Sequence, residues 1–188
     1  ISIIADNSYK WCAVDLAIIS LGAITVPGYT TSNEEEISYL LSHSETSIVF
    51  VNGKLLSLII KILPSLNKIK YVICIDDINT SKFKKFNIGF YTFNELLNLG
   101  SKSDEKSNIV ERFVSKINEN DVVSIIYTSG TSNKPKGVML THKSIISNIF
   151  GANELVSEIK IKDHKFLSII PLSHAYEHTA GFFLPIFI

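Results

Sequence analysis

Residues 127–142 read YTSGTSNKPKGVMLTH. The five residues before them, VVSII at 122–126, are apolar and rich in β-branched side chains, the composition of a buried strand. Past the stretch, Thr141 is placed to cap a helix that starts near Lys143. A strand that empties into Gly, Ser, Thr and Lys is a device for holding phosphate. Gly130 and Gly137 permit backbone turns that other residues resist. The hydroxyls of Thr128, Ser129, Thr131 and Ser132 are donors for phosphate oxygens. Lys134 and Lys136 add positive charge, and turned backbone N–H groups form an anion-binding nest. The spacing is not G-x-x-x-x-G-K-[ST], because the position of the second glycine counted from Gly130 holds Pro135. Composition alone also suits a solvated turn.

Working toward the amino end, strand and helix signals alternate. Ser8 is the N-cap of a helix running to Leu21, closed by Gly22. AITVPGY then reads as a short strand entering a Pro-Gly turn. Ser32 and Glu35 have the spacing of a capping box for a helix ending near Ser42. SIVFVN at 47–52 and YVICID at 71–76 are continuous apolar strands, separated by a helix over 55–63 that Pro64 stops. Thr92 and Glu95 repeat the capping-box spacing for a short helix ended by Gly100. The polar stretch 101–120 is a surface excursion with one amphipathic helix over 109–116. This order predicts an α/β fold: a partly parallel sheet with flanking helices. Beyond the quoted stretch, 166–170 (FLSII) reads as another strand, leading into PLSHAYEH at 171–178.

The chain has 188 residues, 46% of them hydrophobic and 19% charged, with formal net charge +0, which suffices for one core. Charge balance gives no basic face for nucleic acid. Cys12 and Cys74 have neither disulfide-framework nor metal-ligand spacing, and read as small buried hydrophobes in a reducing, cytoplasmic setting. No signal peptide is visible, and no run reaches the roughly 18 apolar residues of a membrane span, which leaves only peripheral membrane contact open. The chain opens at Ile1 without Met and stops at Ile188 inside an apolar run, so it reads as part of something longer.

The string at 127–142 resembles the signature loop of the adenylate-forming enzymes, the superfamily of acyl-CoA synthetases, firefly luciferase and adenylation domains. Their form is roughly Y-T-S-G-T-T-G-x-P-K-G-V-x-x-T-H. Ser132 keeps the hydroxyl of the usual Thr. Asn133 replaces a Gly, and Asn is the least costly substitute where φ is positive. The stretches at 22–51 and 171–178 resemble the long-chain fatty acyl-CoA synthetases in particular. The resemblance implies that residues 1–188 are a fragment of the large amino-terminal AMP-binding domain, with the small carboxy-terminal domain and its catalytic lysine absent.

It further implies ATP-dependent activation of a fatty acid to acyl-adenylate, then acyl-CoA, using ATP, Mg²⁺ and coenzyme A. The fragment alone would be inactive. The alternative is a degenerate remnant or a nucleotide-binding module. Thr128, Ser129, Gly130, Thr131, Ser132, Asn133, Lys136 and Gly137 would hold the phosphates, with Thr128 near the magnesium. Lys134 falls at a variable position and reads as solvated. His174 reads as a substrate-positioning residue. His174 and His178, four apart, would share one helical face. His43 and His142 read as helix-end residues. Phe182, Phe183 and Phe187 suit either an acyl-pocket wall or the core.

Overall fold

A computed structural model describes residues 1–79, 83, 87–102, 108–128, 134–158 and 165–188. Five short strands form a parallel sheet: β1 (Ser2–Ile4), β2 (Val26–Pro27), β3 (Ile48–Val51), β4 (Tyr71–Cys74) and β5 (Gly89–Thr92), in the order β2-β1-β3-β4-β5. The chain steps from β1 to β2 on one side and then crosses to β3 on the other. Right-handed crossovers therefore put α1 (Tyr9–Ser20) on one face, and α2 (Glu34–His43) and α3 (Leu56–Ile62) on the opposite face.

The two cores follow that division. Ile4, Val49, Val51 and Val72 pack with Ile37, Leu40, Leu41 and Ile59 of α2 and α3. Their strand neighbours Ile3, Phe50 and Ile73 point the other way, onto Trp11, Val14 and Ile18 of α1. Both faces are covered, which is why these strands read as continuous apolar runs rather than alternating ones. Burial also pushes the thiols of Cys12 and Cys74 up from their ordinary values.

Helix ends repeat the sequence signals with one shift of frame. Ser8 caps α1 by accepting from Trp11 N–H, and Gly22 closes it at φ +68°. Thr92 and Glu95 form the capping box of α4 (Phe93–Ser101), which runs one residue past Gly100. The box of α2 is Asn33 with Glu36, not Ser32 with Glu35. Asn33 Oδ1 accepts from Glu36 N–H at 3.0 Å, and Glu36 Oε2 accepts from Asn33 N–H at 2.9 Å. Ser32 N–H is engaged in a turn to the Tyr29 carbonyl instead. Strands β1 and β5 carried no separate signal in the sequence.

The remainder builds on β2. After α5 (Ile109–Val114), β6 (Val122–Thr128) pairs antiparallel with β7 (Lys136–Thr141). Thr25 bridges Ser124 in parallel sense, so the hairpin continues the main sheet past β2. Thr141 caps α6 (His142–Ser157) as expected, accepting from Ser144 N–H. β7 itself is a correction: residues 136–141 are a strand, not the last part of a loop. Its pairing with β6 supplies what its mixed side chains do not.

Residues 166–170 are not a strand. Leu167 is 81% and Ile169 76% exposed. Asn7, in the loop after β1, takes the place of a ladder: its Nδ2 donates to the Ile170 carbonyl and to Ser168 Oγ, and its Oδ1 accepts from Leu172 N–H. A π-helical turn (Glu177–Phe183) and α7 (Leu184–Phe187) follow. Phe182 is buried with Trp11 and Phe183 packs partly buried beside it, while Phe187 is exposed. Phe182 and Phe183 therefore belong to the core rather than to an acyl pocket.

Candidate phosphate-binding site

The β6–β7 hairpin decides where the candidate residues lie. Thr128 ends β6 and Lys136 begins β7, and the two are directly paired in register. Both are exposed. An antiparallel pair holds its Cα atoms about 4.5–5.5 Å apart, so a threonine and a lysine stand side by side where β6 ends and β7 begins. Ser129, Gly130, Thr131, Ser132 and Asn133 lie outside the described residues, and the expectations placed on them stand on sequence alone.

Gly137 pairs with Tyr127. Its need for glycine comes from packing rather than from a turn. A Cβ there would meet Ile125 Cγ2 at 2.8 Å and the Tyr127 ring at 3.3 Å. Its φ is not positive.

Helix α2 supplies neighbours that the motif reading missed. His43 Nδ1 lies 2.7 Å from Tyr127 Oη, and Tyr39 Oη donates to the Pro135 carbonyl at 3.2 Å. Tyr39 and His43 are one helical turn apart and stack at 5.1 Å. Lys134 Nζ sits 5.9 Å over the Tyr39 ring, so its alkylammonium is not merely solvated. Burial raises the Tyr127 hydroxyl above its ordinary value, and Tyr39 adds to the shift. The only signal in the sequence was the i, i+4 spacing of an aromatic and a histidine at the end of α2.

His142 opens α6, and burial holds its imidazole below the ordinary value, opposed by Asp121. His174 is exposed, on the segment that Asn7 tethers near the carboxyl end of β1. Its backbone N–H donates to the Pro171 carbonyl and its Nδ1 accepts from Tyr176 N–H at 3.2 Å. His178 donates its backbone N–H to the His174 carbonyl, but the two side chains part. The His178 imidazole is 2% exposed and lies 2.9 Å from the fully buried Asp15 carboxylate. The two histidines therefore share no metal-facing surface. Among the described residues, no three His, Cys, Asp or Glu side chains cluster to hold a metal.

Comparison with known proteins places this arrangement in a family. A family model described as AMP-binding enzyme matches residues 1–188. The chain belongs to the AMP-binding enzyme family. It is 32% identical over 190 residues to the chloroplastic long-chain-fatty-acid–[acyl-carrier-protein] ligase AEE15 of Arabidopsis thaliana, covering 98% of this chain and 26% of that protein. It is 29% identical over 194 residues to long-chain-fatty-acid–CoA ligase 3 of Saccharomyces cerevisiae, covering 93% and 27%. The chain thus spans about a quarter of these curated relatives' length.

Solved structures agree on the fold. A red-emitting luciferase from Phrixothrix hirtus superposes with TM-score 0.74 at 21% identity, over 96% of this chain and 33% of its own. ATP-bound MatB from Rhodopseudomonas palustris superposes with TM-score 0.69 at 18% identity, over 99% and 33%. The parallel sheet with flanking helices is the part of the AMP-binding fold that these 188 residues form. Among the described residues, no helix is long and apolar enough to cross a membrane.

Proposed function

We propose that this chain is the phosphate-holding part of a fatty acid-activating ligase. The observation that carries the reading is the hairpin, which sets Thr128 opposite Lys136 across residues 129–133. In this reading the Thr128, Ser129, Thr131 and Ser132 hydroxyls, with the backbone near Gly130, Asn133 and Gly137, donate to the β- and γ-phosphate oxygens of ATP. Lys136 offsets their charge. A fatty acid carboxylate oxygen forms a bond to the α-phosphorus in line, and the α–β bridging bond breaks to release pyrophosphate. Coenzyme A sulfur then replaces AMP at the acyl carbon. Chemistry of this kind needs positioning and charge stabilisation more than proton transfer. His174, exposed beside the carboxyl end of β1, is assigned a positioning role for the acyl carboxylate.

Magnesium fits this site only in part. Thr128 offers one exposed hydroxyl, and no carboxylate cluster is present among the described residues to complete a shell. An ion there would be held chiefly by the substrate's phosphates and water, where it would neutralise developing charge. The chain covers about a quarter of its relatives, so complete turnover is assigned to a longer polypeptide of which these residues are one unit. Cytoplasmic placement suits the free thiols of Cys12 and Cys74.

The test is binding. Calorimetry with inorganic pyrophosphate should detect association with the chain, and Lys136→Ala should weaken it about tenfold, the low end for a charged hydrogen bond at an exposed site. Equal affinity in the variant would remove Lys136 from the phosphate site.

A further inference from the structure

The strand order β2-β1-β3-β4-β5 reverses direction between β1 and β3. Open parallel sheets take ligands outside the carboxyl ends of their strands at such a point. Asp6 and Asn7 follow β1 there. Asp6 is tied to its surroundings. Its N–H donates to Asn52 Oδ1 at 2.6 Å, its Oδ1 accepts from Thr30 Oγ1 at 2.9 Å, and its Oδ2 pairs with Lys54 Nζ at 2.6 Å. Asn7 reaches to a distant segment instead. Its Nδ2 donates to the Ile170 carbonyl at 2.8 Å and to Ser168 Oγ at 3.1 Å, and its Oδ1 accepts from Leu172 N–H at 2.8 Å. These partners lie 161 to 165 positions away, whereas an ordinary loop asparagine bonds its own near neighbours. Just beyond them, Leu172 and Ser173 are buried and His174 is exposed.

The geometry points to Asn7 as a positioning residue that holds PLSHAYEH, and His174 with it, beside the carboxyl end of β1. The inference rests on the role given to His174 above and adds a residue that touches no ligand itself. A parallel neighbour bridging Pro171 would donate to the carbonyl of residue 170 and accept from the N–H of residue 172. The Asn7 amide makes the same two bonds, so one side chain stands in for a strand. Its orientation is set by its partners, because the Ile170 carbonyl needs a donor and the Leu172 N–H an acceptor. Aspartate has the same shape but no donor for that carbonyl. On the inner side, Leu172 packs in the core with Trp11 and Phe182. His174 therefore starts two residues from fixed backbone, and its own N–H is taken by the Pro171 carbonyl at 2.8 Å. Holding the segment in advance lowers the entropy that a ligand must overcome to order it, which appears as affinity.

The test uses the whole chain with Asn7→Ala and Asn7→Asp. The first deletes all three bonds. Asn7→Asp keeps the size and the helix entry at Ser8, so it decides the matter if Asn7→Ala does not fold. Three quantities are read: amide hydrogen exchange in a peptide spanning 166–178, the His174 imidazole nitrogen signals during titration with octanoate, and the melting temperature. His174→Ala assigns those signals. Exchange in the peptide should rise in both variants, and in Asn7→Asp at least as much as in Asn7→Ala, while a peptide over β4 stays as protected as before. Octanoate affinity read at His174 should fall about three- to tenfold, with the melting temperature little changed. Unchanged exchange across 166–178 in the folded variants overturns the tether. Faster exchange with an unchanged octanoate response overturns the positioning role, leaving a structural contact. If octanoate leaves the His174 signals of the unmodified chain unmoved, the reading of His174 itself falls and the positioning role with it, while the exchange arm still decides whether the tether exists.

Discussion

Trp11→Ala is expected to cost about 3–5 kcal/mol of stability, as large-to-small changes at buried tryptophans do. Trp11 is 0% exposed, at the centre of the core between α1 and the sheet. It meets the His178 ring edge-on at 5.3 Å and Phe182 at 6.1 Å, so its removal opens a cavity under both α1 and the π-helical turn. For a chain of this size such a loss lowers the melting temperature by roughly 10 °C. Trp11→Phe should cost much less. The indole N–H is buried without a hydrogen-bond partner, and phenylalanine removes that donor while keeping most of the ring. Urea unfolding followed by circular dichroism distinguishes the two, since Trp11 is the only tryptophan and its fluorescence vanishes with it. Equal losses in both variants would show that indole shape, not ring burial, sets the stability there.

His178→Ala is expected to cost about 3 kcal/mol, because it strands the Asp15 carboxylate in the interior. Asp15 is fully buried, its Oδ1 already lacks a partner, and its Oδ2 has His178 at 2.9 Å. The imidazole also stacks on Phe183 at 4.7 Å, which adds a packing loss. The double variant Asp15→Ala/His178→Ala should be less damaging than the sum of the singles, since it removes the stranded group. A double-mutant cycle by urea unfolding measures this, and strictly additive losses would mean that the pair is not coupled. The pair joins α1 to the last residue of PLSHAYEH, at the start of the π-helical turn, so His174 should shift with it. Nothing in the motif reading had assigned Asp15 a task.

Several elements were legible because their signals are local. Ser8, Thr92 and Thr141 cap their helices as read, since a cap and its target N–H lie within three residues. The apolar runs at 48–51 and 71–74 announced strands covered on both faces. Local signals also failed in ways that have causes. SNEEE at 32–36 contains two overlapping capping boxes one residue apart, and the turn at Tyr29 selects Asn33 over Ser32. FLSII at 166–170 has strand composition but its backbone is tied to Asn7 rather than to a neighbouring strand. KGVMLT at 136–141 has weak strand composition, with Met139 67% exposed, and becomes β7 because β6 pairs with it.

The sequence by itself determined the α/β class, the caps of α1, α4 and α6, and the family resemblance of the stretch at 127–142, since composition and short spacings carry those. Only the tertiary structure decided that Thr128 faces Lys136, that His178 turns inward to Asp15 instead of pairing with His174, and that Tyr39 and His43 reach Pro135 and Tyr127. The contacts of His178 with Asp15, Tyr39 with Pro135 and His43 with Tyr127 join residues 84 to 163 positions apart. Their geometry depends on how helices sit against the sheet, which is set by packing of the whole core and leaves no local trace in the chain.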